Sequence, residues 1–161
     1  MSPFDPSYEE VLVKAEPQLR SLANQIPASV SAVMNGFGLV FAPKTRQDAG
    51  TQWLGHACRI GLQGSFSCCL EIHATPHVCA ELFRCAIGAE PSNQCELDEM
   101  LCEVANQILG YAKAQVDVGG SRLMLPAVIS SPESLGFQMA PINVYEYGDN
   151  ELRVCLYPEC R

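Results

Sequence analysis

The sequence contains no window of about 18 consecutive apolar residues, the length a bilayer-spanning helix requires, so a membrane span of that kind is excluded. It is short of positive charge as well: 10 Lys and Arg stand against 18 Asp and Glu, a formal net charge of -8. Nucleic acid and anionic membrane surfaces both reward Lys and Arg, and neither is expected as a partner. The opening MSPFDPSYEE is acidic and proline-punctuated, not basic and then apolar, so no leader is expected and the chain reads as cytoplasmic. No CxxC pair occurs among the 9 cysteines. An odd number without a leader argues for reduced, small buried hydrophobes rather than a disulfide framework. Glycine loops of the GxxxxGK(S/T) and GxGxxG kinds are absent, which speaks against a nucleotide enzyme. There is no internal repeat and no low-complexity tract.

What is present suits one globular domain spanning 1–161: 48% apolar and 17% charged residues over 161 positions can bury a sizeable core. Apolar residues at Val11, Leu12, Ala15, Leu19, Leu22 and Ala23 predict a helix over Tyr8 to Gln25, capped by Ser7 and kinked or divided by Pro17. Ser29 to Val33 and Gly38 to Phe41 read as strands around an Asn35-Gly36 turn, and Pro43 to Gly50 as an exposed loop. Trp53 to Leu62 and Ser65 to Ala74 form a strand pair across Gln63-Gly64. Adjacent Cys68 and Cys69 then point to opposite faces. Thr75-Pro76 starts a helix that Gly88 stops. A second, longer helix spans about 94 to 116. Pro126 inside LMLPAVISS makes that segment an edge strand or two short extended pieces. Gly136 to Tyr147 and Leu152 to Tyr157 close the chain as an antiparallel pair. The expected class is α+β: a mainly antiparallel sheet with two long helices packed on it.

The long helix, within DEMLCEVANQILGYAKAQ, carries the chemistry. Leu97, Leu101, Val104, Ala105, Ile108, Leu109 and Ala112 make its apolar face. Opposite lie Glu99, Glu103, Asn106, Gly110 and Lys113, the last four at steps of three, four and three. A solvated helix face accounts for much of this. Asn and Gly are nonetheless mediocre helix formers, and Gly110 mid-helix costs about 1 kcal/mol against Ala. A glycine there lets another backbone come close, beside Glu103 and Asn106. The bare pattern Glu-x-x-Asn recurs at Glu90-Pro91-Ser92-Asn93, where the proline and loop-like flanks spoil the helical spacing.

The run LDEMLCEVANQILGYAKAQ, followed about eight residues later by LPAVISS, resembles the CheX-type chemotaxis phosphatases, relatives of the CheC family. There a helix carries Glu-x-x-Asn-x-x-x-Gly and precedes a segment resembling LPTVV. The upstream GLQGSFSCCLEIHATPHVCAELFRCAIG is similar to the family's strand and helix. Gln107 departs from the pattern by standing where an apolar residue is usual, and one motif is present where CheC proteins often have two. The resemblance implies a phosphatase for the aspartyl phosphate of a CheY-like response regulator. In that role Asn106 orients the water and Glu103 pairs with a lysine of the regulator. Glu99, Gly110 and Lys113 would meet the partner. No cofactor is implied on this chain, the Mg²⁺ being expected on the partner receiver domain. A homodimer joined at sheet edges is also implied.

The alternative is a non-catalytic binding module that docks a response regulator or kinase through the same helix. Asn106 discriminates, since docking alone needs no amide there. A structural part of a motor switch would share the broader fold but brings additional domains. His73, His77 and Cys79 could be written as metal ligands but straddle a strand-to-helix boundary without a fourth member, so no metal is expected. A Cys58 nucleophile with a His56 base is set aside on the ground that strand neighbours do not face each other. Cys155 and Cys160, near the C-terminus, are expected to be the more exposed thiols.

Overall fold

The computed structural model describes residues 17–44, 53–64, 67–116, 120–130 and 142–158. Helix α1 spans Pro17–Gly36 and is followed by the short strand β1, Ala42–Lys44. Strands β2 (His56–Gln63) and β3 (Cys68–Ala74) lead into helices α2 (Pro76–Ile87) and α3 (Gln94–Ala114). Strands β4 (Arg122–Leu123), β5 (Ala127–Ile129), β6 (Ile142–Tyr147) and β7 (Asn150–Tyr157) complete the described elements. They form one antiparallel sheet in the order β1-β6-β7-β3-β2-β4, with β5 also paired to β2. Three helices accompany the sheet among the described residues. None of them is long and apolar enough to cross a membrane.

The helices cover one face of the sheet. Cys58, Ile60 and Leu62 of β2, Cys68, Leu70 and Ile72 of β3, and Leu152, Val154 and Leu156 of β7 join the core that α1, α2 and α3 supply. Strand alternation sends the intervening residues to the other face. That face is polar yet buried. Glu71, fully buried, accepts from Arg59 Nη2 at 3.3 Å, His73 Nε2 at 2.6 Å and Tyr157 OH at 3.1 Å. Burial, with the neighbouring Cys69 and Glu71, pushes the Tyr157 phenol well above its usual range. Cys68 is in the helix-side core and Cys69 is not, so the two do face opposite ways.

Helix α1 is where local reading fails. Ser29 to Val33 is helical, not a strand, and Gly38 to Phe41 is not a strand either. The alternating SVSAV is one arc of a longer helical stripe in which Leu22, Ile26, Val30, Val33 and Met34 are buried. Pro27 sits on the exposed side of α1, so its missing N–H weakens one turn without disturbing the packed stripe. The helix ends where glycine permits it: Gly38 has φ +77. Leu39 N–H then reaches Met34 O at 3.0 Å and Gly38 N–H reaches Asn35 O at 3.0 Å, the paired bonds of a Schellman stop. Pro43 and Lys44, expected in a loop, pair with β6 as part of β1. The expected helix from Tyr8 lies outside the described residues before Pro17, as do 45–50, 136–141 and Cys160.

Candidate functional site

Helix α3 begins with reciprocal capping. Asn93 Oδ1 accepts from Glu96 N–H at 3.0 Å, and the Glu96 carboxylate accepts from Ser92 N–H at 2.7 Å. The second Glu-x-x-Asn copy is therefore spent on structure. Its Asn93 is the cap, and its Glu90 lies off the helix, 3.4 Å from Arg84 Nη1. From this cap α3 runs with Leu101, Val104, Ala105, Ile108, Leu109 and Ala112 completely buried, which fixes the opposite ridge in space.

On that ridge Glu99 and Glu103 are exposed, while Asn106, Gly110 and Lys113 are half-buried. Glu103 accepts from Gln107 Nε2 at 3.1 Å, so the polar residue at 107 steadies the carboxylate from one helical turn away. Asn106 has no hydrogen-bond partner for its side chain among the described residues, which leaves its donor and acceptor for something external. A Cβ at Gly110 would meet only Leu123 Cδ1, at 3.6 Å, an ordinary contact. The fold itself does not demand a glycine here.

Glu103 and Asn106 line the same groove, about 460 Å³, whose opposite wall is Arg122, Leu123, Met124, Leu125 and Pro126. The wall is positioned by β2. Leu123 and Arg122 pair with Leu62 and Gln63, Met124 N–H donates to Gly61 O at 2.8 Å, and β5 rejoins β2 from Ala127. LMLPAVISS is thus two short extended pieces. Pro126 stands in the gap between them, where no ladder bond is needed. Leu125 projects over the groove's edge at 90% exposure, and Val128 is 47% exposed. Sequence reasoning did not single out Arg122 or Leu125. The signal was the proline, which forbids a continuous strand and holds the residue before it extended. A larger groove of about 680 Å³ lies across the ridge, between Val33 and Phe37 of the α1 end and Met100 and Tyr111 of α3. It borders Glu103 but not Asn106.

The other candidates disperse. His73 is buried on the far face of the sheet beside Trp53 and Glu71, while Cys79 is in the core. His77 is exposed and stacks near Tyr147. Among the described residues no group of three His, Cys, Asp or Glu side chains could hold a metal ion. Cys155, expected to be exposed, is buried in β7, and burial first, then Glu71 and Cys69, raise its thiol pKa. His56 and Cys58 are two apart on β2, so they share a face, contrary to the expectation. They turn to α3 and find different partners: His56 Nδ1 bonds Asp98 Oδ1 at 2.7 Å, and Cys58 Sγ bonds Cys102 Sγ at 2.8 Å.

Residues 56–135, which include the ridge and its facing wall, match the family model described as chemotaxis phosphatase CheX. No curated protein matches the chain. Among solved structures, chemotaxis protein CheX from Vibrio vulnificus superposes with a TM-score of 0.66 at 18% identity, over 88% of this chain and 99% of that one. CheX from Desulfovibrio desulfuricans gives 0.64 at 15%, over 86% and 99%. The CheX–CheY–BeF3–Mg complex from Borrelia burgdorferi gives 0.62 at 18%, over 84% and 97%. At such identities the likeness establishes the shared fold.

Proposed function

We propose that this chain, which belongs to the CheX chemotaxis phosphatase family, hydrolyses the aspartyl phosphate of a CheY-like response regulator through Asn106 and Glu103 of α3. The observation that carries the assignment is an amide without a partner among the described residues, one helical turn from an exposed carboxylate, in one groove. Hydrolysis joins water to the phosphorus, breaks the bond to the aspartyl oxygen, and releases the carboxylate and inorganic phosphate. Phosphoryl transfer asks its catalyst mainly for positioning and charge stabilisation. The Asn106 carbonyl accepts a hydrogen bond from the attacking water and aims its oxygen in line with the leaving carboxylate. Glu103, held by Gln107, is the counter-charge for a lysine of the regulator. In this reading the metal belongs to the partner receiver; the similar complex from Borrelia burgdorferi contains CheX, CheY, BeF3 and Mg. Exposed Leu125 and the wall behind it give the partner an apolar contact beside the charged one.

The test is phosphate release from a phosphorylated CheY-like receiver with Mg²⁺, with and without this protein. The parent should speed the loss of the phosphoryl group. Asn106→Ala should remove most of that gain, since a misplaced reacting group costs about a hundredfold, while binding to the phosphorylated receiver persists. Equal rates for Asn106→Ala and parent would refute the catalytic assignment. A parent that binds the phosphorylated receiver yet leaves its decay unchanged would establish the binding-module alternative instead.

A further inference from the structure

Two side-chain pairs tie α3 to β2, and they are successive rungs of one ladder. His56 meets Asp98 at 2.7 Å, and two residues along the strand Cys58 meets Cys102 at 2.8 Å, four residues along the helix. The spacings match: two strand residues rise about 6.6 Å, and four helical residues rise about 6 Å. The first rung holds the helix alongside the strand, so the second is a fixed encounter of two sulfurs rather than a chance approach. Both cysteines are free thiols. Their separation exceeds a disulfide bond length by only about 0.8 Å.

We propose that Cys58 and Cys102 are a reversible redox pair that a peroxide closes into a disulfide, cross-linking α3 to β2 beneath the ridge that carries Glu103 and Asn106. The two sulfurs differ in the way such a pair requires. Cys102 is half-exposed and can meet a small oxidant, whereas Cys58 is completely buried and has Cys102 as its hydrogen-bonded thiol neighbour. The thiol of Cys58 donates to the sulfur of Cys102. That hydrogen bond draws the Cys102 pKa down against burial and the charges of Asp98 and Glu99, while it and burial hold Cys58 protonated. The Cys102 thiolate attacks one peroxide oxygen, giving a sulfenic acid and releasing hydroxide. The Cys58 sulfur then displaces hydroxide from the sulfenic sulfur, and its proton leaves with that hydroxide as water. In sum, two thiols and one hydrogen peroxide become one disulfide and two waters. A thiol reductant such as dithiothreitol reverses the step. Cys85 and Cys95 are exposed on the helices with no hydrogen-bonded thiol neighbour among the described residues, so their oxidation links chains or stops at sulfur acids.

The inference is chemical and stands apart from the phosphatase reading. The reduced full-length protein, treated with stoichiometric hydrogen peroxide, is denatured for thiol counting and digested for peptide mapping by mass spectrometry. The expected result is a loss of two thiols per chain and a linked peptide pair joining Cys58 to Cys102, both restored by dithiothreitol. The closed loop is long, so the oxidised protein should melt about 5 °C higher than the reduced one. Cys102→Ser should lose the link and the oxidative rise in Tm, yet melt like the parent in reductant. Recovery of Cys102 only as a sulfenic or sulfinic acid, or of disulfides only through Cys85 and Cys95, would overturn the proposal. The peptide map is read on the parent chain, so it decides the matter even if a variant folds poorly.

Discussion

Glu103 would exchange one neighbour for another in the proposed complex. In the free protein its carboxylate accepts from Gln107 Nε2, an exposed i,i+4 bond worth a few tenths of a kcal/mol. In the proposed complex a partner lysine would compete for the same oxygens with a full charge in a partly desolvated interface, which would decide the exchange in the partner's favour. Glu103→Ala should therefore weaken docking to a CheY-like receiver by about 1–2 kcal/mol, roughly tenfold in Kd, and flatten its dependence on salt. Isothermal titration at two ionic strengths reads both effects. An unchanged Kd with an unchanged salt slope would remove Glu103 from the interface. Asn106 differs in kind, because an amide with no partner among the described residues has no recorded bond to lose there when the protein stands alone. Its removal should be visible in turnover and hardly at all in melting.

Helix α3 serves two surfaces at once: a largely apolar face toward β2 and β3, where Asp98 meets His56, and a polar ridge toward the groove. Gly110 is the element's weak point, since a mid-helix glycine costs about 0.5–1 kcal/mol relative to alanine and its site has room for a methyl group. Gly110→Ala should raise Tm by about 1–4 °C. If the receiver lies against this stretch, the same methyl should weaken docking while the fold gains stability. Melting and binding measured on one preparation therefore move in opposite directions. A rise in Tm with docking unaltered would show that the glycine is incidental to the partner. A fall in Tm would mean that Leu123 cannot yield the ordinary 3.6 Å contact.

The whole sheet is loaded asymmetrically, apolar under the helices and ionic on the reverse. Lys44 Nζ and Arg153 Nε donate to the Glu151 carboxylate at 2.7 and 2.9 Å, joining β1 to β7 across β6. Burial alone would raise the Glu151 pKa, but the bonds and charges of Lys44 and Arg153 outweigh it and hold the group below its usual value. A carboxylate depressed in the folded state stabilises the fold at every pH above its unfolded pKa, and that contribution fades as pH falls through the lower, folded value. Glu151→Gln should therefore lower stability at neutral pH and flatten the stability–pH curve below about pH 4.3. Urea unfolding between pH 3 and 7 reads this directly, and parallel curves for variant and parent would contradict it.

The sequence by itself determined the elements whose apolar period runs unbroken between clear caps. Asn93 and Glu96, Pro76 and Gly88 bracket α2 and α3 by local chemistry, and strand alternation placed β2, β3 and β7. It also put Glu103, Asn106, Gly110 and Lys113 on one stripe, because 3.6 residues per turn is a property of the backbone alone. Only the tertiary structure decided the fate of Ser29 to Val33. A short alternating stretch satisfies either period, and packing of Ile26, Val30 and Val33 into the core selected the helix. It alone placed Arg122 and Leu125 opposite Asn106, since β2 brings that wall back across the helix through pairings distant in sequence. The same holds for Cys58 and Cys102, 44 positions apart yet in contact. Local period and capping are written residue by residue. Which distant faces meet is settled only when the whole core closes at once.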